Sequence, residues 1–263
     1  MHDCIKHYPS LLVHKTAVAL VAHGLNLKPS AMLPLINWLV SRGADVYLVQ
    51  LSGHHTAGTA IHDVKASTWQ QEMLTGYHIA KKASVDLSLP LFFLGYSLGA
   101  LLGQSIMALP ATSASFDRQV LFAPATALRR RAYFVKLFFL FGKRLKLPSY
   151  APGNYRVHRS LPLHVYEILF NEQKNVAASR FRNLNIPTLI FLDTRDELIS
   201  YIRLRRQINL FALQRYKVVL LTGKLNDRKS QYHHLIIDEQ SLGEENWKLV
   251  NKEMEAFLFG PLV

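Results

Sequence analysis

The most informative stretch of the chain, residues 89–99, reads LPLFFLGYSLG. Residues 89–94 form a short apolar run that favours a buried strand, and residues 100–109 have the pattern of a helix. Between them, Gly95-Tyr96-Ser97-Leu98-Gly99 matches the pattern G-x-S-x-G. In a tight strand-to-helix turn this pattern exposes the serine hydroxyl above the edge of the sheet. Ser97 is therefore a candidate nucleophile; the alternative is a serine that caps an ordinary helix.

The rest of the chain alternates short apolar runs with helical patterns. This alternation predicts an α/β fold with a doubly wound, mostly parallel sheet. The predicted strands are residues 17–22, 45–51, 89–94, 119–123, 187–192 and 216–221, and the predicted helices are residues 32–41, 67–84, 100–109 and 244–258.

A serine nucleophile needs a base, and the base needs a carboxylate that orients it. Asp196 follows the predicted strand at 187–192, and His233 and His234 follow the predicted strand at 216–221. The chain order serine, acid, histidine is the order found with a strand–serine–helix turn of this kind. Because the carboxyl ends of parallel strands share one edge of a sheet, we expect these groups to meet there.

The chain resembles the α/β-hydrolase superfamily, and within it the capped serine hydrolases of the monoacylglycerol lipase and lysophospholipase group. Residues 126–182 break the alternation of strands and helices, because they are rich in Arg, Lys and aromatic residues and show no clear buried strand, so we predict a helical cap insertion there. The resemblance covers nearly all of the rest of the chain, and the expected α/β-hydrolase core is residues 1–125 and 183–263. The residues that carry it are the motif around Ser97, His23-Gly24-Leu25, Gly53-His54, Ala123-Pro124-Ala125, Asp196, and His233-His234-Leu235 with Asp238.

The resemblance also implies a role for each site residue. Ser97 is the expected nucleophile, His233 the expected general base, and Asp196 the carboxylate that orients the imidazole. The expected oxyanion donors are the backbone N–H groups of Leu25 and Leu98. Such donors stabilise charge that develops only in the tetrahedral intermediate.

Two of these assignments have reserve candidates. The family pattern His-x-Leu-x-x-acid fits residues 233–238 when it starts at His233, and the adjacent His234 is the reserve. The family's acid loop usually reads Gly-x-x-Asp, and here Asp193 stands in the glycine position. Asp193 is therefore the reserve for Asp196, although it falls at the end of the predicted strand.

Composition narrows the class of protein and argues against a metal site. The chain has 263 residues, of which 49% are hydrophobic and 19% charged, and this excludes a disordered chain. A single cysteine, Cys4, excludes an internal disulfide framework and a cysteine-built zinc site. His54, His55 and His62 have only Asp63 near them as a carboxylate at ligand spacing, so we expect no metal and no cofactor.

The formal net charge is +13, and the predicted cap carries most of it. A cationic, aromatic and helical segment suits an anionic bilayer interface. The alternative is that the aromatic residues pack on the core while the basic residues are solvated. Nucleic-acid binding is not expected, because no nucleic-acid-binding motif is present. The basic residues between Asp117 and Glu167, where there is no acidic residue, are Arg118, Arg129, Arg130, Arg131, Lys136, Lys143, Arg144, Lys146, Arg156 and Arg159.

Residues 1–14 lack the pattern of a secretory signal peptide, and the apolar runs at 16–22 and 133–141 are too short to span a bilayer. We expect a cytoplasmic protein, soluble or peripheral to a membrane. The predicted function is a serine hydrolase that cleaves a carboxylester, lipid or lysophospholipid with an apolar acyl group through an acyl-enzyme. Its expected partner is a small-molecule or lipid ester. The alternative is a non-catalytic protein of this fold that binds an anionic membrane or a partner through its basic cap.

Overall fold

A computed structural model describes residues 4–54, 61–109, 111–142, 145–179, 183–222 and 232–261. The strands are β1 (Ile5–Tyr8), β2 (Ala17–Ala22), β3 (Ala44–Val49), β4 (Leu91–Tyr96), β5 (Arg118–Phe122), β6 (Lys146–Pro148), β7 (Ser160–Pro162), β8 (Thr188–Asp193) and β9 (Tyr216–Leu221). Seven of them form one sheet in the order β1-β3-β2-β4-β5-β8-β9. Every neighbouring pair is parallel except β1 with β3. The predicted mostly parallel sheet is confirmed.

The helices cover both faces of this sheet. They are α1 (Leu33–Val40), α2 (Ala66–Leu87), α3 (Leu98–Ala108), α4 (Leu163–Ala178), α5 (Tyr201–Leu210), α6 (Glu239–Leu242) and α7 (Glu244–Phe259). Phe92 of β4 contacts Phe259 of α7, whereas the next residue, Phe93, packs against Gly103 of α3. Successive side chains of a strand point to opposite faces, so α7 and α3 lie on opposite sides of the sheet. Among the described residues, none of the helices has the length and apolar composition needed to span a bilayer.

The central strands are apolar because both of their faces are covered. All six residues of β2 and all six of β4 are buried, which is the expected environment in a parallel sheet between two helical layers. Strand β1 lies at the edge, and its middle residues, Lys6 and His7, are exposed. Its sequence therefore lacks an apolar run, and this strand was not predicted.

Residues 123–187, which connect β5 to β8 and include the predicted cap at 126–182, are called the inserted segment here. The cap was expected to be helical. Among the described residues of this segment α4 is the only α-helix, whereas Arg130–Phe141 forms a 3₁₀ helix and β6 pairs with β7 in an antiparallel hairpin. Helix α4 packs on α3, where Ser105 donates a hydrogen bond to the buried carboxyl of Glu172. Burial raises the pKa of Glu172, although the hydrogen bond from Ser105 opposes this shift. The inserted segment is thus attached to the helix that begins after Ser97.

Candidate active site

Ser97 occupies the turn between β4 and α3. Its backbone has φ 51° and ψ −111°, a conformation that a residue with a side chain adopts only when its surroundings hold it there. The Ser97 N–H donates to the Phe122 carbonyl of β5 (2.9 Å), and the Ser97 carbonyl accepts the Leu101 N–H (3.1 Å). These bonds fix the serine beyond the C-terminal end of β4.

The two glycines of the motif lie where the backbone leaves no room for a side chain. A Cβ built on Gly99 would lie 2.4 Å from the carbonyl oxygen of Ala22, and one built on Gly95 would lie 2.6 Å from Cα of Ala100. Both distances are shorter than the van der Waals contact distance of a carbon atom, so a side chain at either position would clash with the backbone. Gly99 therefore allows the start of α3 to pack against the end of β2, and Gly95 allows β4 to approach the first turn of α3.

His234 connects Ser97 to Asp196. The Ser97 hydroxyl donates to Nε2 of His234 (2.8 Å), and Nδ1–H of His234 donates to Oδ2 of Asp196 (2.9 Å). All three residues are buried: Ser97 is 7% exposed, His234 3% and Asp196 0%. With Nδ1 protonated towards the carboxylate, Nε2 is free to accept the serine proton.

The prediction that His233 contacts Ser97 is wrong, and the reserve candidate His234 has this position. Nδ1 of His233 lies 3.5 Å from Oδ2 of Asp193, and its side chain is 20% exposed. The two histidines are adjacent in a tight turn, so their side chains leave the backbone in different directions. Each approaches its own aspartate, and only His234 reaches the serine.

The acid loop after β8 holds Asp196 in place through its backbone. Oδ1 of Asp196 accepts the N–H groups of Leu198 and Ile199, both at 2.7 Å, which leaves Oδ2 for the histidine. Asp193, the other candidate acid, is the last residue of β8 and accepts hydrogen bonds from the Arg195 amide and side chain instead. The structure therefore brings Asp196, and not Asp193, to the imidazole of His234.

Glu197 fixes the histidine turn and was not found in the sequence analysis. Its carboxylate accepts the backbone N–H of His233 at one oxygen and that of His234 at the other, both at 3.0 Å. Tyr96 supports the same turn, because its hydroxyl donates to the His234 carbonyl (3.2 Å) and burial raises the pKa of Tyr96 well above its usual value. A glutamate beside Asp196 has no sequence signature, so only the folded loops reveal this contact.

The expected oxyanion donors, Leu98 and Leu25, belong to two segments next to Ser97. Leu98 is the first residue of α3, and the first N–H groups of a helix have no acceptor within that helix. Leu25 follows β2 and lines the same cavity as Ser97. A Cβ built on the preceding Gly24 would lie 3.2 Å from Cβ of Ser97, so this loop is adjacent to the serine.

A family model described as serine aminopeptidase, S33, matches residues 13–239. The chain belongs to this α/β-hydrolase family. The matched range contains Ser97, Asp196 and His234. A search of curated proteins found no significant match to the sequence.

Solved structures support the same fold for this S33 hydrolase. A soluble variant of monoglyceride lipase from Saccharomyces cerevisiae has a TM-score of 0.78 at 11% identity, over 97% of this chain and 90% of that one. The monoacylglycerol lipase of Paleococcus ferrophilus has a TM-score of 0.67 at 17% identity, over 96% and 99%. A thermostable carboxyl esterase from Bacillus coagulans has a TM-score of 0.69 at 14% identity, over 97% and 94%. At these identities the likeness shows the fold alone, and together with the family match it confirms the predicted α/β-hydrolase fold.

A cavity of about 840 Å³ opens above Ser97 and His234 in this S33 hydrolase. Much of its wall comes from the inserted segment, and most of the lining is apolar, including Leu128, Val135, Phe138, Leu161, Leu169 and Phe170. Cavities of this size and character bind small molecules with a large apolar part.

Asn26 joins the loop after β2 to the inserted segment. Its side-chain amide donates to Oγ of Ser149 (2.9 Å) and to the His158 carbonyl (2.8 Å), and its carbonyl oxygen accepts the His158 N–H (2.8 Å). Asn26 also lines the cavity, and its φ is +60°. The inserted segment and the candidate oxyanion loop are therefore held together by one buried side chain.

His54 supports the backbone of the same loop. Its Nε2 accepts the Asn26 N–H (2.9 Å), and its Nδ1–H donates to the Ser52 carbonyl (3.2 Å). The bond accepted by Nε2 requires a neutral imidazole, because a protonated Nε2 has no lone pair to accept it. Burial first, and then the neighbouring His23, lowers the pKa of His54 well below its usual value.

We expect acid to destabilise the fold partly through His54. Because its pKa is lower in the folded than in the unfolded protein, the unfolded protein binds the extra proton below about pH 6.5, and stability falls as pH falls. This contribution is about 1 kcal/mol between pH 7 and pH 5.5. We therefore expect the free energy of unfolding, measured with urea at pH 7 and pH 5.5, to fall less in His54→Gln than in the wild type. His78→Gln, a substitution at an exposed histidine, is the control. A loss of unfolding free energy in His54→Gln that equals the loss in the wild type and in His78→Gln would contradict the assignment.

Proposed function

We propose that this S33 hydrolase cleaves carboxylic esters with an apolar acyl group through an acyl-enzyme on Ser97. The observation that carries the proposal is the buried chain of contacts from Ser97 through His234 to Asp196, at the base of an apolar cavity. A hydroxyl next to an imidazole that a carboxylate orients is suited to acyl transfer.

The reaction proceeds in two halves. In the first, Nε2 of His234 takes the proton of Ser97 while Oγ attacks the ester carbonyl, and the N–H groups of Leu25 and Leu98 stabilise the oxyanion. Collapse of the intermediate breaks the ester C–O bond, and the imidazolium returns the proton to the leaving alcohol. In the second half, water attacks the acyl-serine while His234 takes a proton from that water. His234 then returns the proton to Oγ of Ser97 as the carboxylic acid leaves. Asp196 stabilises the imidazolium in both halves.

The apolar cavity supports a substrate with an extended acyl chain. Two of the structural neighbours are described as monoglyceride and monoacylglycerol lipases, which is consistent with this substrate class. Each methylene that enters the cavity contributes about 0.8 kcal/mol, so kcat/KM should rise about fourfold per methylene until the cavity is filled.

A series of p-nitrophenyl esters with acyl chains of two to sixteen carbons tests the proposal. The expected result is a rise in kcat/KM with chain length that levels off at one length. Phe138→Ala, which enlarges the cavity, should shift that length towards longer chains. Leu11→Ala, at an exposed position outside the cavity, should not shift it. The proposal would be contradicted if the protein hydrolysed none of the esters, or if kcat/KM were equal at every chain length.

A second candidate function is contact with an anionic membrane through the 3₁₀ helix Arg130–Phe141. None of its residues is buried, and Leu140 and Phe141 are 88% and 75% exposed beside basic residues such as Lys136. Exposed apolar and basic side chains together suit a negatively charged lipid surface.

Sedimentation with lipid vesicles tests this second candidate. Vesicles that contain phosphatidylserine should bind the protein, and phosphatidylcholine vesicles should not. Leu140→Ser with Phe141→Ser should weaken the binding, whereas Val13→Ser, an equally exposed position elsewhere, should leave it unchanged. Binding that persists in the double variant would reject this surface. Binding without ester hydrolysis in the wild type would favour the non-catalytic alternative.

A further inference from the structure

Arg131 places a cation at the wall of the cavity above Ser97. It lies in the 3₁₀ helix Arg130–Phe141, its side chain is exposed, and it lines the cavity. Nε and Nη2 of its guanidinium donate to the Glu197 carbonyl, at 3.1 and 2.9 Å. The guanidinium is thus held at a defined place on the acid loop although it faces solvent.

This place is on the histidine side of the cavity. The residue whose carbonyl holds Arg131 is Glu197, and the carboxylate of Glu197 in turn accepts the backbone N–H of His234. In the proposed reaction, His234 gives its proton to the leaving alcohol, so the alcohol portion of the ester lies near His234. Arg131 is therefore close to the alcohol portion and not to the far end of the acyl chain.

The charge of Arg131 is not paired within the described part of the chain. Its contacts there are with a carbonyl oxygen, and no carboxylate forms an ion pair with it. Glu197 is the one carboxylate among the described residues that line the cavity, and each of its oxygens accepts one backbone N–H of the histidine turn. Arg129 has a different orientation, since its Nε donates to the Asp196 and Ile199 carbonyls. Among the described residues that line the cavity, Arg131 alone carries a permanent positive charge.

We propose that Arg131 binds a phosphate group on the alcohol portion of the substrate. The preferred substrate is then an acylated alcohol phosphate, such as an acylglycerol phosphate, and not the neutral acylglycerol. A guanidinium suits this role because its planar N–H groups can bind two phosphate oxygens at once. This inference rests on the ester hydrolysis proposed above and names the substrate class of the same site.

The test compares two monomeric esters with the same acyl chain, 1-hexanoylglycerol 3-phosphate and 1-hexanoylglycerol. The short chain keeps both below the concentration at which they aggregate, so a lipid surface does not contribute. The wild type should hydrolyse the phosphate ester with a kcat/KM about tenfold higher. Arg131→Gln should abolish this preference. Arg205→Gln is the matched control, because Arg205 is exposed on α5, outside the cavity, and its loss changes the net charge equally.

Salt gives an independent readout. Arg131 is exposed, so its attraction for phosphate is screened by ions. A higher NaCl concentration should reduce the ratio of kcat/KM for the phosphate ester to that for the neutral ester in the wild type and in Arg205→Gln. It should have little effect on this ratio in Arg131→Gln.

The outcomes separate this inference from the proposed function. A wild type that is labelled at Ser97 by a fluorophosphonate but hydrolyses only the neutral ester overturns the phosphate inference alone. The same conclusion follows if Arg131→Gln lowers kcat/KM for both esters equally. If the wild type hydrolyses neither ester, the phosphate inference is overturned. If Ser97 is also not labelled in the same preparation, the proposed function is overturned as well.

Discussion

Replacing Ser97 by alanine is expected to lower kcat for ester hydrolysis on the order of a millionfold, as loss of the nucleophile does in a serine protease. The reason is that alanine has no hydroxyl to attack the carbonyl, and no other hydroxyl donates to Nε2 of His234 among the described residues. Steady-state kinetics on the best ester of the chain-length series measures the effect.

Ser88→Ala is the matched control for this variant. Ser88 also has a positive φ, 55° against 51° for Ser97, but it is exposed at the end of α2. The two substitutions make the same change, serine to alanine, at positions with a positive φ, although ψ differs (40° at Ser88 and −111° at Ser97). Ser88→Ala should retain activity, and both variants should unfold at the temperature of the wild type. Substantial hydrolysis by folded Ser97→Ala would remove Ser97 from the mechanism.

The alanine variants of the two adjacent histidines, His233→Ala and His234→Ala, are expected to differ in kcat by several orders of magnitude. His234→Ala removes the base that receives the Ser97 proton, and the loss should be on the order of a millionfold. His233→Ala removes only a partly exposed contact with Asp193, so its activity should stay within about tenfold of the wild type. The backbone N–H that His233 donates to Glu197 remains in the variant.

The paired measurement has a clear negative result. An inactive, folded His233→Ala together with an active His234→Ala would reverse the assignment and restore the pairing expected from the sequence motif. Circular dichroism and thermal unfolding of both variants separate a loss of chemistry from a loss of folding.

Much of the fold could be predicted because the decisive patterns are local. The apolar run before Ser97 and the two glycines around it specify a buried strand, a tight turn and a helix. The strand at Tyr216–Leu221 was predicted to the residue, and β2 likewise, because each is a short apolar run with polar or glycine boundaries. Asp196 could be located because it follows a buried strand in the expected chain order.

The choice of histidine could not be made from the motif. The pattern His-x-Leu-x-x-Asp pointed to His233, but the Asp238 that completes it caps α6 and accepts a hydrogen bond from Tyr155. Which of two adjacent residues faces the serine depends on how Glu197 and Tyr96 hold the turn, and these contacts join loops that are far apart in sequence.

The inserted segment was hardest to predict for the same reason. Its shape depends on long-range contacts, such as those of Asn26 with Ser149 and His158, rather than on local helix signals. The run Arg130–Phe141 mixes aromatic and basic residues, and it forms a 3₁₀ helix with no buried residue. Local composition indicated its cationic, aromatic character but neither its conformation nor its contact with the acid loop.

Covalent labelling of the intact protein by a long-chain fluorophosphonate, followed by mass spectrometry, tests most directly whether Ser97 is the nucleophile. The proposed mechanism predicts a single adduct on the peptide that contains Ser97, formed rapidly in the wild type and in His233→Ala, slowly in His234→Ala, and not at all in Ser97→Ala. An adduct that persists in Ser97→Ala, or a wild type that is not labelled, would contradict it.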